Sequence, residues 1–589
     1  MGPPPPSHRP RKKRKTPTAP GSNNNLILDT GDGKQSPAFP LVSFLWAARA
    51  GVSQWLILPL TLMAVGLFRW AVSLWGYSGF EVPPMHGDFE AQRHWMEITT
   101  HLPIFKWYLY DLQYWGLDYP PLTAYHSWLL GKIGSAVDPA WFALDDSRGF
   151  EHPDLKIYMR ATVVVSEYLI YVPAVVTFLR RYTRMHGVHA WSASIALVAI
   201  LLQPATILID HGHFQYNTVM LGLMVASLDA ILAGRMLWAC IFFVGALGFK
   251  QMALYYAPVM FAYLLGVCVF PRIRFLRLVN IALVTLAAFA LLFAPLVFGA
   301  MSLEARKEFA SVTQPPLLQS LPITLDKNSV AYAVLFQLTQ TVHRIFPFAR
   351  GLFEDKVANA WCAIHTFYKL HRFEASLLQR ASLGATLASI IVPCGIIFRH
   401  PPRFASPSSL VLRFLGILLV HEKSVLLPLL PMTLSLAGDG GLNKENRAWV
   451  GWANVLGSWT MYPLLKREEL RVPYIVMTLL WAYLMGLPPL SLETYRSRSS
   501  SEDPNSQFEL NIFTKLLHII FYALMIGWHV GEAFVPPPPG KPDLWVVLNA
   551  LIGAGGFGIA YLWCMWKLVT QCCQSNRRAS EEENKKKQQ

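Results

Sequence analysis

The chain has 589 residues, 53% of them hydrophobic and 13% aromatic, with only 15% charged and a mean hydropathy of +0.33. A soluble protein of this size carries about a quarter charged residues, and many windows here reach the roughly 20 apolar residues that a bilayer span needs, so the composition excludes a soluble globular class and indicates an all-α polytopic membrane protein. The net charge of +15 does not imply nucleic acid, because much of the excess sits in tails and short loops, where the positive-inside rule places it.

Residues 1–45 read as a disordered cytosolic tail, basic and Pro-rich (PPPPSHRPRKKRKTPTAP), with no cleavable signal peptide. Fourteen apolar runs follow, near 53–76, 158–180, 190–209, 216–233, 236–249, 252–270, 276–299, 381–399, 409–420, 424–437, 447–464, 471–488, 511–531 and 543–569. A further segment, YPPLTAYHSWLLGKIG (119–134), opens with two prolines and carries His126 and Lys132. Excluding it leaves an even number of spans and both termini in the cytosol. The Arg-rich loops RRYTRMH (180–186), PRIRFLR (271–277), RHPPRF (399–404), NKENR (443–447) and YRSRS (495–499) then share the cytosolic side. Segment 119–134 is therefore expected as a re-entrant or surface-lying helix in the first lumenal loop.

The stretches rich in chemistry fall on the opposite side under this topology. The first lumenal loop, 77–157, contains HGDFEAQRHWMEIT (86–99) with Asp88, Glu90, Arg93, His94 and Glu97. Asp88 follows Gly87 at an apparent helix start, where a side-chain oxygen caps a backbone N–H and Glu90 fits the helix dipole. A capping Asp can also serve as a general base, so both readings stand. The same loop carries YWGLDYPPLTAY with Asp118 and Tyr119. IDHGHFQYN (209–217) places His211 and His213 two apart beside Asp210 and Gln215. That spacing suits a polar ligand at a span end better than a metal. Lys250 and Gln251 interrupt one apolar stretch, and His421, Glu422 and Lys423 another; such groups near membrane depth are functional candidates or, for Lys250, a snorkelling side chain. The second large lumenal loop, 300–380, holds RIFPFARGLFEDKVAN (344–359). Its Arg350, Glu354, Asp355 and Lys356 form either a salt-bridged helix or a phosphate site. MYPLLKREEL (461–470) completes the set. Together these supply a carboxylate base, cations for a leaving phosphate and aromatic faces (Trp95, Trp107, Tyr108, Trp115, Tyr119) for sugar packing, the parts that glycosyl transfer from a lipid phosphate needs.

After the module at 46–490 come a polar cytosolic loop (491–510), two C-terminal transmembrane helices (511–570) and a cytosolic tail (571–589). Cys572 and Cys573 lie where palmitoylation occurs. Lys586 and Lys587 stand four and three from the C-terminus, as in a dilysine retrieval signal. There is no N-x-S/T acceptor, solenoid repeat or inverted two-half pattern.

The strings GDFEAQRHWMEIT, YWGLDYPPLTAYHS, LIDHGHFQYN, RIFPFARGLFEDKVANAWC, VHEKSVLLPLLP and MYPLLKREEL resemble the endoplasmic-reticulum glucosyltransferases that use dolichyl-phosphate glucose, membrane enzymes of the GT-C type. The likeness covers most of residues 50–490. QRHWMEIT and GLDYPPLTAYHS look like the branch that adds the first glucose to the nine-mannose lipid-linked oligosaccharide; the second-glucose branch is the alternative, and a transporter or flippase or an inactive scaffold is a further one. The resemblance implies an inverting single displacement forming an α-1,3 linkage, with Asp88 as general base and His421 at the donor phosphate. Arg350, Lys356, Lys423 and Lys250 are weaker phosphate or acceptor candidates, with Glu90, Arg93, Asp118, Tyr119, His211, His213, Gln215, Glu354, Asp355 and Glu422 as further site candidates. It implies no metal or other cofactor. The expected partners are dolichol-linked donor and acceptor and membrane lipid, with no nucleic acid and no obligate protein partner. The expected setting is the endoplasmic reticulum membrane with a lumenal active site. Two segments depart from the family wording: 313–335, and the short run 409–420 before HEKS.

Overall fold

A computed structural model describes residues 26–29, 35–47, 49, 54–346, 358–400, 425–438, 440–496 and 510–588, with side chains placed outside 28–29, 35, 54–55 and 571–588. Apart from one short antiparallel strand pair, Ile27–Asp29 with Gln35–Pro37, the described residues are helical or in connections.

The first spanning helix, α1 (Gln54–Ser73), leads into a folded polar loop built on α2 (Gly87–His101) and α3 (Pro121–Val137). The central bundle follows with α4 (Pro153–His186), α5 (Ala190–Leu201), α6 (Asn217–Leu232), α7 (Met236–Phe249), α8 (Ala257–Val269) and α9 (Phe275–Ala300). Helix α4 begins with Pro153 in its first turn, where no backbone donor is needed, and ends at Gly187 in the left-handed region. It packs along α6, and α6 along α7. At Gly222 of α6 a Cβ would lie 2.7 Å from Tyr171 Cα, so the close approach of α4 and α6 depends on a missing side chain. The second polar loop carries α10 (Leu303–Ser311), α11 (Val330–Ile345) and α12 (Ala360–Phe367) and ends in α13 (Ala375–Arg399). The C-terminal part holds α14 (Leu426–Leu434), α15 (Lys444–Thr460), α16 (Tyr462–Arg467), α17 (Arg471–Leu484), α18 (Ile512–Phe534) and α19 (Leu544–Gln588).

Among the described residues, seven helices are long and apolar enough to cross a membrane: α1, α4, Gln251–Val269, α9, α13, α18 and Leu544–Thr570. Ala190–Leu201 with Pro204–Phe214, bent by 42°, makes an eighth if counted as one broken span. Pro204 lacks the N–H that would continue the ladder, which accounts for the break. Four predicted runs (216–233, 236–249, 424–437 and 471–488) are shorter apolar helices. The run at 447–464 is the buried α15 with the start of α16, and 409–420 lies outside the described residues. Segment 119–134 forms α3, a helix too short and too polar for the spanning set, and it packs on α2 and α7. The final helix continues through the predicted tail to Gln588.

Two apolar clusters underlie the polar loops, and Phe105 of the first loop packs into the cluster of the second. Ala91, Trp95, Ile98, Trp107, Tyr108, Leu117 and Ala124 pack with Leu296 of α9. Phe105, Phe309, Leu318, Tyr332 and Phe336 form a second cluster, so the atypical segment 313–335 contributes buried side chains rather than a loose insertion. Wide aromatic and aliphatic burial of this kind stiffens the loops and lets them hold a site.

Candidate active site

The turn between α5 and α6 carries the centre of the site. Residues Leu208–Phe214 wind as a π-helix, an uncommon form concentrated at functional positions. Phe214 sits at φ +86°, strained for a bulky residue. Arg160 of α4 holds this backbone from below: its guanidinium donates to the carbonyls of His211 (2.7 Å), Gly212 (2.8 Å) and Gly76 (2.8 Å). His211 faces away from the loop, with Nε2 2.6 Å from Glu167 Oε2, and Glu167 also receives both forks of Arg69. All four side chains are buried; the pairing of Glu167 with Arg69 and His211 compensates charge removed from water, while the Arg160 guanidinium is met by carbonyl dipoles.

His213 faces the other way. Its Nε2 is 2.8 Å from Asp88 Oδ2, and its Nδ1 is 2.7 Å from Glu468 Oε1 and 2.8 Å from Oε2. Gln215 Nε2 donates to the same Asp88 oxygen at 2.6 Å. Lys250, at the end of α7, donates to Gln215 Oε1 at 3.1 Å and to Asn217 Oδ1 at 2.6 Å, and its ammonium lies 4.9 Å from the centre of the Tyr119 ring. Asn217 in turn donates to Asp210, which also accepts from the Thr218 N–H. His213 and Gln215 of the π-turn segment thus hold the Asp88 carboxylate, and Glu468 and Lys250, remote in sequence, hold those two in turn. The Asp88 side chain is 22% exposed against 2% for His213 and 7% for Glu468, so Asp88 alone of the three reaches open space.

Helix α2 starts two residues earlier than a capping Asp88 requires. His86, in the left-handed region, is the N-cap residue and makes no side-chain cap. Asp88 lies in the first turn, its N–H donates to Ser78 Oγ (3.1 Å), and its carboxylate points to His213 and Gln215. This corrects the capping reading. Gly87 makes the turn possible: it has φ +63°, and a Cβ there would lie 2.7 Å from the Ser78 carbonyl.

The structure places the other sequence candidates in three groups. Glu90 and Arg93 belong to a buried ionic cluster beneath the loop. Arg93 donates through two nitrogens to Glu90 (2.6 Å each), and also to Glu97 (2.7 Å), Ser147 (2.5 Å) and the Trp141 carbonyl (3.2 Å). Burial pushes the Glu97 carboxyl up, but the His94 hydrogen bond and the Arg93 charge more than reverse this and hold it at about 2. Asp118 and Tyr119 lie at the rim: Gln251 Nε2 approaches the Asp118 carbonyl at 3.4 Å, and Arg344 Nη2 donates to the Gly116 carbonyl at 2.8 Å. Arg350, Glu354, Asp355, Lys356, His421, Glu422 and Lys423 lie outside the described residues. His211 and His213 engage different carboxylates, and among the described residues no group of three or more His, Cys, Asp or Glu is placed to hold a metal ion. Sequence reasoning missed Glu468, Arg160 and Ser78. Glu468 stood inside the quoted MYPLLKREEL string, but its spacing carries no signal for a partner 255 residues away.

The fold and site are those of a polytopic helical membrane protein with a semi-exposed carboxylate, oriented by buried polar partners at the end of one broken span. The chain belongs to the ALG6, ALG8 glycosyltransferase family, which it matches over residues 65–312 and 323–566. The unmatched residues 313–322 fall inside the segment whose wording departs from the family. Among curated relatives, the dolichyl pyrophosphate Man9GlcNAc2 alpha-1,3-glucosyltransferase of Saccharomyces cerevisiae is 42% identical over 552 residues, covering 90% of this chain and 95% of the relative. Proteins of the same name from Gallus gallus (33% identical; 87% of this chain, 98% of the relative) and Mus musculus (34%; 83% and 92%) are also similar.

Proposed function

We propose that this protein transfers glucose from dolichyl-phosphate glucose to the nine-mannose lipid-linked oligosaccharide and forms an α-1,3 linkage by a single inverting displacement. Asp88 removes the proton from the acceptor hydroxyl as that oxygen bonds to C1 of glucose; the C1–O bond to phosphate breaks, and its electron pair leaves with dolichyl phosphate. The observation that carries this reading is the partly exposed Asp88 carboxylate, fixed on one oxygen by His213 and Gln215. A base held in one orientation is the geometry that general-base catalysis rewards. The names of the relatives support the acceptor and the linkage. Cationic residues of the second polar loop and of HEKS, with His421 foremost, are assigned to the leaving phosphate, where positive charge stabilises the developing anion. The reaction is placed at the lumenal face of the endoplasmic reticulum membrane, with both termini cytosolic, and needs no metal.

The test uses purified protein in detergent with dolichyl-phosphate glucose, an unglucosylated nine-mannose acceptor and a chelator, read by mass spectrometry. The parent is expected to add one hexose, and a folded Asp88→Asn variant to add none. Transfer only onto a monoglucosylated acceptor would move the protein to the second step of the same series.

A further inference from the structure

The buried side of Asp88 is a carboxylate–imidazole–carboxylate line. His213 bridges Asp88 at 2.8 Å and Glu468 at 2.7 Å, and both His213 and Glu468 are almost wholly shielded. We propose that His213 and Glu468 are positioning residues that form one hydrogen-bonded relay with Asp88 and set how strongly Asp88 attracts the acceptor proton. The inference rests on the reading of Asp88 as the base.

The proton count supports it. Two hydrogen bonds link three groups, so the relay at rest holds two protons and a net charge of −1, with imidazolium between two carboxylates as one arrangement. The acceptor proton is the third and brings the relay to neutrality. Without Glu468 the same step would begin one negative charge short, and an imidazolium beside Asp88 would weaken it as a base.

Among the described residues, the other charged groups around the relay have partners of their own or are exposed. Arg69 of α1 pairs with Glu167 of α4, and Glu167 also pairs with His211. Arg160 of α4 is bound to backbone carbonyls, with Tyr77 5.8 Å from its guanidinium, and its positive charge also acts on Glu468 in the parent and in every variant that keeps Glu468. Glu90 of α2 is held by Arg93, and Asp210 by Asn217 and Thr218. Lys250 donates to Gln215, which in turn donates to Asp88, and also contacts Asn217. On the Glu468 side, Lys466 pairs with Glu532, while Arg467, Glu469 and Arg471 are exposed and therefore screened. Among the described residues, Glu468 is thus the carboxylate that faces His213 opposite Asp88.

The experiment is the pH profile of kcat/KM for the purified full chain, its Glu468→Gln, Glu468→Asp and His213→Gln variants, and Asp88→Asn. Glu468→Gln is expected to move the acid limb to lower pH by about one unit and to lower the plateau roughly tenfold, and Glu468→Asp to restore the limb. In a His213→Gln background, which keeps an amide donor near Asp88 but ends the relay, adding Glu468→Gln is expected to leave the limb where it is. A purely structural Glu468 would lower activity equally at every pH; an unmoved limb with Asp88→Asn inactive overturns the relay and leaves the base in place. Transfer retained by Asp88→Asn overturns the base and the relay together.

Discussion

Lys250 and Asp88 are joined by a single side chain: Gln215 receives the Lys250 ammonium on Oε1 at 3.1 Å and donates to Asp88 from Nε2 at 2.6 Å. An amide whose oxygen faces an ammonium has its orientation decided, so Lys250 determines that the nitrogen faces the carboxylate.

Lys250→Met is therefore expected to lower kcat by about one to two orders of magnitude, the scale of a misplaced catalytic group, with a smaller change in donor KM. Lys250 is only 2% exposed, which fits this role better than the direct phosphate contact considered from the sequence. Steady-state kinetics with varied dolichyl-phosphate glucose separate the two, since loss of a phosphate contact raises KM first.

Glu97 gives a pH dependence of folding. Its carboxyl is held at about 2 against an unfolded value of 4.5. A depressed carboxylate contributes stability that is fully present above about pH 4.5 and is lost as pH falls toward 2, here about 3 kcal/mol as an upper figure. Glu97→Gln removes that contribution and leaves Arg93 with fewer acceptors. Thermal unfolding in detergent is expected to show a wide gap between parent and variant at about pH 7 that narrows below about pH 4.5.

Gly87→Ala tests the turn that aims Asp88. A Cβ at φ +63° costs about 1–2 kcal/mol, and it would also press on the Ser78 backbone, 2.7 Å away. The expected outcome is a folded protein with a modestly lowered melting temperature and a transfer rate reduced at least tenfold, because the displaced residue is the neighbour of the base. Melting and rate measured on one preparation check it; equal melting and equal rate would refute the assignment.

The quoted strings made Asp88, His213 and Gln215 legible, because ionisable groups crowd beside apolar runs at the span ends. What the strings hid is direction. His211 and His213 look equivalent two residues apart, yet the π-turn sends one to Glu167 inside the bundle and the other to Asp88. Glu90 and Arg93 look like site residues, yet an i,i+3 pair on α2 turns them inward under Ser147. Hydropathy marked the helices themselves, but helices of 14 to 16 residues such as α6, α7 and α17 fall below spanning length, so run-counting and geometry give different span numbers. Glu468 needed the tertiary fold, because no local pattern links it to position 213.

Arg160 fastens the two strands of this site together. Its three carbonyl partners belong to residue 76, two before Ser78, and to residues 211 and 212, next to His213. Ser78 completes the join by donating its N–H to the His213 carbonyl at 3.1 Å while its hydroxyl receives the Asp88 N–H. Only a planar guanidinium spans acceptors so arranged; an ammonium keeps the charge but loses the fork. Arg160→Lys is expected to lose at least one charged hydrogen bond, about 2 kcal/mol of stability, and to let the 76–78 segment shift against the π-turn. The transfer rate should then fall more than the melting temperature suggests, and adding Gly87→Ala should cost less than it does in the parent, because both changes loosen one contact. Additive losses in that double variant would show that Arg160 supports the bundle without setting the distance between Asp88 and His213.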